Sequence, residues 1–142
     1  MNNKTEIRFL SLSGNEGFAR AVASAFASQM NPSIEMLSDI RTAVSEAVTN
    51  AIIHGYEQRT DCMVLMRMTI SDDELCIEVH DDGCGISDIE LARKPFYTSK
   101  PELERSGMGF SVMEAFMDLV NVDSVPGEGT TVRMLKRITH DS

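Results

Sequence analysis

Two short glycine clusters constrain this chain more than any other feature of its sequence. Gly83 and Gly85 lie in DDGCG, and Gly107 and Gly109 lie in SGMGF, about twenty residues later. The first cluster follows a strand-like segment and the second precedes a helix-like one, so glycine stands where the backbone leaves regular structure. The polar segment between them is longer than most connections in compact domains, which favours a functional loop.

Composition excludes several classes of protein. A chain of 142 residues has the usual size of one domain, and we expect a single domain over 1–142. Short apolar runs and the polar opening MNNKTEIRFL favour a cytoplasmic protein with no membrane span. Three cysteines without Cys-x-x-Cys spacing argue against a disulfide framework and a zinc site. The net charge of -9 argues against direct nucleic-acid binding; it favours solubility or a basic protein partner.

Hydrophobic periodicity predicts the order β-α-α-β-β-loop-α-β-β. Helices gathered between runs of hairpin-connected strands indicate an α+β fold, a two-layer sandwich whose mixed, mostly antiparallel sheet is covered on one face by helices. Strands are predicted at 4–11, 62–70, 74–81, 121–125 and 130–138, and helices at 14–30, 33–56 and 110–120. The expected inner faces of the three helices are Phe18, Ala19, Val22, Ala23 and Phe26; Leu37, Ile40, Val44, Ala47, Val48 and Ala51; and Val112, Met113, Phe116, Leu119 and Val120.

The second predicted helix carries three polar residues at i, i+4 and i+8, namely Glu46, Asn50 and His54. This spacing places them on one stripe, which faces either a ligand or solvent. An amide oxygen beside a carboxylate suits Mg²⁺, and Glu46 would be placed to accept a proton.

Asp81 ends a predicted strand immediately before the first glycine cluster. A carboxylate there can accept a hydrogen bond from an exocyclic amine, while Gly83 and Gly85 would let the backbone approach a flat ring. The alternative is an ordinary Asp-Gly turn after a strand.

The second cluster, SGMGF, precedes the third predicted helix, whose first turn offers unsatisfied N–H groups to a phosphate. Lys100 and Arg105 lie just upstream, where they would add positive charge or simply be solvated. The long loop suits a ligand-gated lid. Neither the P-loop pattern nor the Rossmann pattern occurs, so another nucleotide-binding architecture is required.

Taken together and in this order, EAVTNAIIHGY, DDGCGI, SGMGF and GEGTT resemble the four nucleotide-binding boxes of the GHKL ATPase superfamily. The continuous segment KPFYTSKPELERSGMGFSVMEAFMD resembles the anti-sigma serine kinases of that superfamily, and their sporulation branch most closely. The resemblance spans nearly the whole chain. It implies a Bergerat-type sandwich, a lid at about 87–106, and ATP and Mg²⁺ as cofactors.

The resemblance also implies a role for each matching residue. Asn50 would coordinate Mg²⁺, Glu46 would be the general base, Asp81 would read the adenine amino group, and Arg105 would reach the terminal phosphate. The phosphates would be cradled by 106–109, and Thr130 would support the adenine site. The ATP-binding set is completed by His54, Gly83, Gly85, Ile86, Thr98, Ser99, Lys100, Ser106, Gly107, Met108, Gly109 and Phe110.

The three histidines lie at a helix end, in a strand and in the tail, so autophosphorylation on histidine is not expected. The family implies a serine/threonine-protein kinase that binds a sigma factor and phosphorylates a serine of an anti-anti-sigma factor. It also implies a homodimer, for which the opening strand is a candidate edge. Two alternatives stay open, a stress-response kinase of the same family and a non-catalytic, nucleotide-dependent binding module.

Glu16 and Arg20 lie one turn apart on the first predicted helix and have no part in the nucleotide site. They are a candidate contact for a protein partner. Their alternative role is an ordinary surface ion pair at i and i+4.

Overall fold

The computed structural model describes residues 1–84 and 109–139 of the chain. The described elements follow the predicted order. Strands are β1 (Asn2–Leu10), β2 (Met63–Ser71), β3 (Glu74–Asp81), β4 (Leu119–Val125) and β5 (Gly129–Arg137); helices are α1 (Asn15–Ala27), α2 (Ile34–Asn50) and α3 (Gly109–Phe116), with a 3₁₀ turn (Ser28–Met30) after α1 and a π-helical segment (Ala51–Gly55) after α2.

The five described strands form one sheet in the order β1-β2-β3-β5-β4, and each neighbouring pair is antiparallel. A tight turn joins β2 to β3, with Asp72 in the left-handed region at φ 55°. α2 lies between α1 and α3, and both α1 and α2 contact the sheet. The predicted two-layer α+β sandwich is therefore confirmed.

Strict alternation in the strands separates the two faces of the sheet. On β2 and β3 every second residue is buried, which directs Met66, Met68 and Ile77 toward the helices. Met113 of α3 and Met134 of β5 are also completely buried. Unbranched methionine side chains adapt to irregular gaps between a twisted sheet and its helices, and each buried one contributes roughly 1.5–3 kcal/mol.

The opposite face of the sheet carries a transverse row of alternating charges. Glu6, Arg67, Glu78 and Arg133 occupy matching register positions on β1, β2, β3 and β5. Arg67 lies 3.2 Å from Glu6 and 3.8 Å from Glu78, and Arg133 lies 3.8 Å from Glu78. This polar face explains why the helices cover only the other side.

Ser33 begins α2 by accepting a hydrogen bond from the backbone N–H of Met36 at 3.1 Å, so a single side-chain cap is enough. With 17 residues, α2 is the longest described helix. Within 1–84 and 109–139, no helix combines the length and the apolar character that a bilayer span requires.

Three positions of the predicted inner faces are wrong, because Phe18, Phe116 and Leu119 are exposed. Phe18 is 51% exposed because the buried stripe of α1 runs through Ala19, Ala23 and Phe26. Its ring instead lies edge-on to Phe9 of β1, with 6.4 Å between ring centroids. Phe18 thus covers the rim of the core and is not part of the core itself.

The third helix is shorter than the predicted 110–120, because α3 ends at Phe116 and β4 already begins at Leu119. The backbone N–H of Asp118 donates to Leu135 at 2.9 Å, and Lys136 donates to the carbonyl of Phe116. These hydrogen bonds with β5 place the residues after Phe116 in the sheet. Leu119, predicted on the inner helical face, is consequently 47% exposed.

Candidate functional site

Three of the sequence-predicted residues, Asp81, Gly83 and Thr130, lie where the end of β3 meets β5 and the segment after α2. Asp81 is the last residue of β3 and is 4% exposed. In the antiparallel register it faces Thr130 of β5, which is also buried. The π-helical segment ends at Gly55, where an added Cβ would lie 2.5 Å from the Asp81 carboxyl carbon.

Burial controls the electrostatics of Asp81. Loss of solvent raises the pKa of this carboxyl to about 6, although the backbone N–H of Gly83, which donates to its Oδ1 at 2.9 Å, acts in the opposite direction. The carboxyl is therefore mostly ionised at neutral pH, and its hydrogen bonds replace only part of the hydration that burial removes. A ligand amino group that donates to it would replace part of the lost hydration.

Glycine at 83 is required by the protein itself. A Cβ at Gly83 would overlap the carbonyl oxygen of Gly55, and that oxygen accepts a hydrogen bond from the backbone N–H of Cys84 at 2.8 Å. The loop after β3 therefore lies directly against the end of the π-helical segment. The sequence predicted this glycine for a different reason, the approach of a flat ring.

The segment Ala51–Gly55 departs from the predicted α-helix. A π-helix bonds each residue to the fifth one along, so each turn takes about one more residue than in an α-helix. His54 does not therefore repeat the position of Asn50 on the helix surface. Its carbonyl accepts a hydrogen bond from the Cys84 thiol at 3.0 Å, which again holds the loop after β3.

Asn50 lies beside the third helix. A Cβ on Gly109 would be 2.7 Å from Asn50 Nδ2, so a larger residue at 109 would displace the Asn50 side chain. The next residue, Phe110, is buried. Glu46 is half-buried on α2, one turn before Asn50, at a rise of about 6 Å. The structure thus brings Asn50 and α3 together and leaves Glu46 one turn away.

The described residues also test the expected Mg²⁺ site. Across residues 1–84 and 109–139, no group of three His, Cys, Asp or Glu side chains could hold a metal ion by itself. Mg²⁺ beside a nucleotide keeps several waters and takes few protein ligands in addition to phosphates. The Asn50 amide oxygen fits such a minimal contribution.

Two polar groups that support the site were missed by the sequence analysis. The buried Tyr56 hydroxyl donates to the carbonyl of Met63 and accepts from the backbone N–H of Asp82 at 2.8 Å. The Ser124 hydroxyl lies 2.8 Å from Thr130 Oγ1. No local pattern marks either residue, because both act through partners distant in sequence.

Glu16 and Arg20 form an ion pair at 3.3 Å on α1, which was their alternative role, and their contact with a protein partner stays a prediction. The predicted lid at about 87–106 lies outside the described residues. So do the predicted ATP-binding and catalytic residues Gly85, Ile86, Thr98, Ser99, Lys100, Arg105, Ser106, Gly107 and Met108.

Comparison with known proteins gives the family. Residues 14–136 match the model of the histidine kinase-like ATPase domain. The chain is 56% identical over 138 residues to the anti-sigma F factor of Clostridium perfringens, which covers 97% of this chain and 99% of that protein. It is 49% identical over 139 residues to the anti-sigma F factor of Bacillus subtilis, which covers 98% and 95% respectively.

This chain belongs to the anti-sigma F factor family. Solved structures agree on the fold of this family member. The crystal structure of the RsbU and RsbW domains of a Mycobacterium tuberculosis protein superimposes with a TM-score of 0.71 at 16% identity. That match covers 99% of this chain and 34% of the other, longer protein.

Replacing Gly83 by Ala should destabilise this anti-sigma F family member strongly. The new Cβ would displace the Gly55 backbone, and we expect a loss of about 2 kcal/mol or more in the free energy of unfolding, measured by urea denaturation. Gly14→Ala is the matched control, because nothing lies within 4 Å of its added Cβ and its φ is -64°. Equal stabilities of the two variants would contradict the contact.

Asp81 should give the protein without nucleotide a distinctive pH dependence. Its pKa is higher in the folded chain, about 6 against 3.8, so the folded state binds the proton more tightly. Protonation of Asp81 therefore adds at most about 3 kcal/mol to the free energy of unfolding. This stabilisation is fully present below about pH 4 and is lost as the pH rises through 6. Urea denaturation across this range should show the decline in wild type. If the Asp81→Asn variant shows the same decline in stability, the decline comes from other titrating groups.

Proposed function

We propose that this chain is an ATP-dependent anti-sigma factor and serine-protein kinase. It would sequester a sporulation sigma factor, sigma-F, and phosphorylate a serine on the anti-anti-sigma antagonist of that complex. The observation that carries the proposal is the buried Asp81 carboxyl at the end of β3, held against Gly55 and Gly83. The relatives are anti-sigma F factors, which supports the sigma-factor partner.

Each described site residue has a separate task in this proposal. Asp81 would accept a hydrogen bond from the exocyclic amine of adenine, with Thr130 beside it on β5. Asn50 would hold Mg²⁺ through its amide oxygen. ATP supplies the transferred phosphoryl group when it is bound, and the start of the described part of α3 lies against the Asn50 side chain.

Glu46 would act as the general base. Its side chain is half-buried, one helical turn from Asn50 on the same helix, so a proton acceptor and a cation ligand are held at a fixed spacing. The serine hydroxyl of the partner would give its proton to Glu46 while its oxygen forms a bond to the γ-phosphorus and ADP leaves. Little further covalent chemistry is required of the protein.

Replacing Glu46 by Gln should abolish phosphoryl transfer and leave ATP binding intact. The loss of a general base lowers such rates by about 10² to 10⁴-fold. The measurement is label transfer from γ-labelled ATP to the purified anti-anti-sigma protein, with mass analysis for phosphoserine and calorimetry for ATP affinity. Glu35→Gln, an exposed change in the first turn of the same helix, is the matched control.

The outcomes separate the alternative functions. Wild type that binds ATP and retains sigma factor, yet transfers no label, would leave a nucleotide-dependent binding module as the function. Kinase activity retained by Glu46→Gln would remove the role of that residue. Retention of a stress-response sigma factor in place of sigma-F would assign the chain to the other branch of the family.

The proposal includes a cytoplasmic homodimer. β1 pairs with β2 on one side only among the described strands, so its other edge is available to a second copy. Light scattering of the purified protein should give the mass of two chains, or about twice 15.7 kDa. A monomer at micromolar concentration would contradict this part of the proposal.

A further inference from the structure

A polar groove lies between α1 and α2, next to the proposed base. Its volume is about 280 Å³. One wall is Arg20 of α1 and the other is a face of α2, and we call it the α1–α2 groove. Its described lining residues are Arg20, Ser38, Arg41, Thr42, Ser45 and Glu46.

The groove runs along α2 toward the nucleotide site. The lining positions 38, 41, 42, 45 and 46 repeat at helical spacing, so they form one stripe on the helix surface. The stripe reaches Glu46, and Asn50 follows one turn later, about 6 Å along the axis. A segment lying in the groove would therefore reach Glu46 from the N-terminal end of α2, whereas Asn50 lies on the C-terminal side of Glu46.

The charges of the groove favour an acidic occupant. Two guanidinium groups line it in a chain whose net charge is -9, and Glu46 is the single carboxylate among the described side chains of the lining. Arg20 is partly compensated by Glu16 at 3.3 Å. Arg41 is exposed, and a guanidinium can bind a carboxylate through two parallel hydrogen bonds.

We infer that the α1–α2 groove binds the segment of the protein substrate that flanks the phosphoacceptor serine, and that Arg41 selects an acidic side chain in this segment. The inference rests on the proposed kinase function. Arg41 and Glu46 are five residues apart, which is about 7.5 Å along the helix. An extended chain advances about 3.3 Å per residue, so the acidic side chain lies two to three residues from the serine.

The hydroxyl groups of the groove suit a polypeptide. Ser38 and Ser45 present hydroxyls that can both donate to and accept from the backbone of an extended segment. The Thr42 hydroxyl donates to the carbonyl of Ser38 at 3.0 Å, so one helix carbonyl at the wall is already satisfied. Arg41 therefore supplies selectivity, while the serines supply contacts that do not depend on sequence.

The test is steady-state phosphorylation of the purified anti-anti-sigma protein at saturating ATP. Arg41→Glu should raise KM for the protein substrate about tenfold and leave kcat within twofold, because Arg41 contributes to binding and not to the chemical step. ATP affinity should not change. Arg41→Gln, which removes the charge without reversing it, should raise KM about threefold and keeps the test available if Arg41→Glu misfolds.

Arg137→Glu is the matched control. Its side chain is 61% exposed and lies opposite Glu74, at the other end of β3 from Asp81. The same reversal of charge there should leave KM unchanged. An equal rise in KM for both variants would mean a general effect of net charge and would overturn the inference.

A charge exchange identifies the partner of Arg41. Each acidic residue within three positions of the phosphorylated serine is replaced by Arg in the substrate. One of these substrate variants should restore the wild-type KM when it is assayed with the Arg41→Glu enzyme. No recovery at any of these positions would overturn the acidic specificity. Unchanged KM in Arg41→Glu and Arg41→Gln would overturn the groove itself, whereas absence of phosphoserine with wild type would overturn the proposed function.

Discussion

The site depends on the exclusion of water from one carboxyl group. Asp81 ends the central strand β3 at 4% exposure, and its neighbours Gly55 and Gly83 leave no room for side chains around it. A buried carboxyl that keeps its charge at neutral pH requires donors, and the protein supplies the N–H of Gly83. The remaining capacity to accept hydrogen bonds makes Asp81 selective for a donor such as an amine.

The rest of the fold holds the backbone around this carboxyl. The π-helical segment carries the end of α2 to Gly55, where a carbonyl meets the loop after β3. The Tyr56 hydroxyl fixes the next residue of that loop, Asp82, and ties it to the start of β2. Strand pairing positions Thr130 on the other side. Hydrogen bonds to the backbone of the loop after β3 therefore hold the shape of this site.

Much of this arrangement was predictable because its signals are local. The alternation in β2 and β3, the apolar stripe of α2 and the Asp-Gly sequence after a strand gave the order of elements and the position of Asp81. The residues whose positions were predicted wrongly are placed by contacts with residues distant in the sequence. Leu119 continues a helical pattern, yet β5 pairs with it as a strand. Phe18 fits the spacing of an inner helical face, yet its ring contacts Phe9 of β1 at the edge of the core. The Tyr56 bridge joins residues that no periodicity relates.

The contact between Gly55 and Gly83 has a consequence for how sequences of this kind can change. A side chain at 83 would collide with the backbone carbonyl of Gly55, and every residue type has that carbonyl. No second substitution at 55 can therefore relieve a first one at 83. Conversely, a side chain at 55 would enter the space of the Asp81 carboxyl. Two short motifs nearly thirty residues apart are thus locked to each other by geometry, and homologous chains should diverge around them without passing through intermediates in which either glycine is lost.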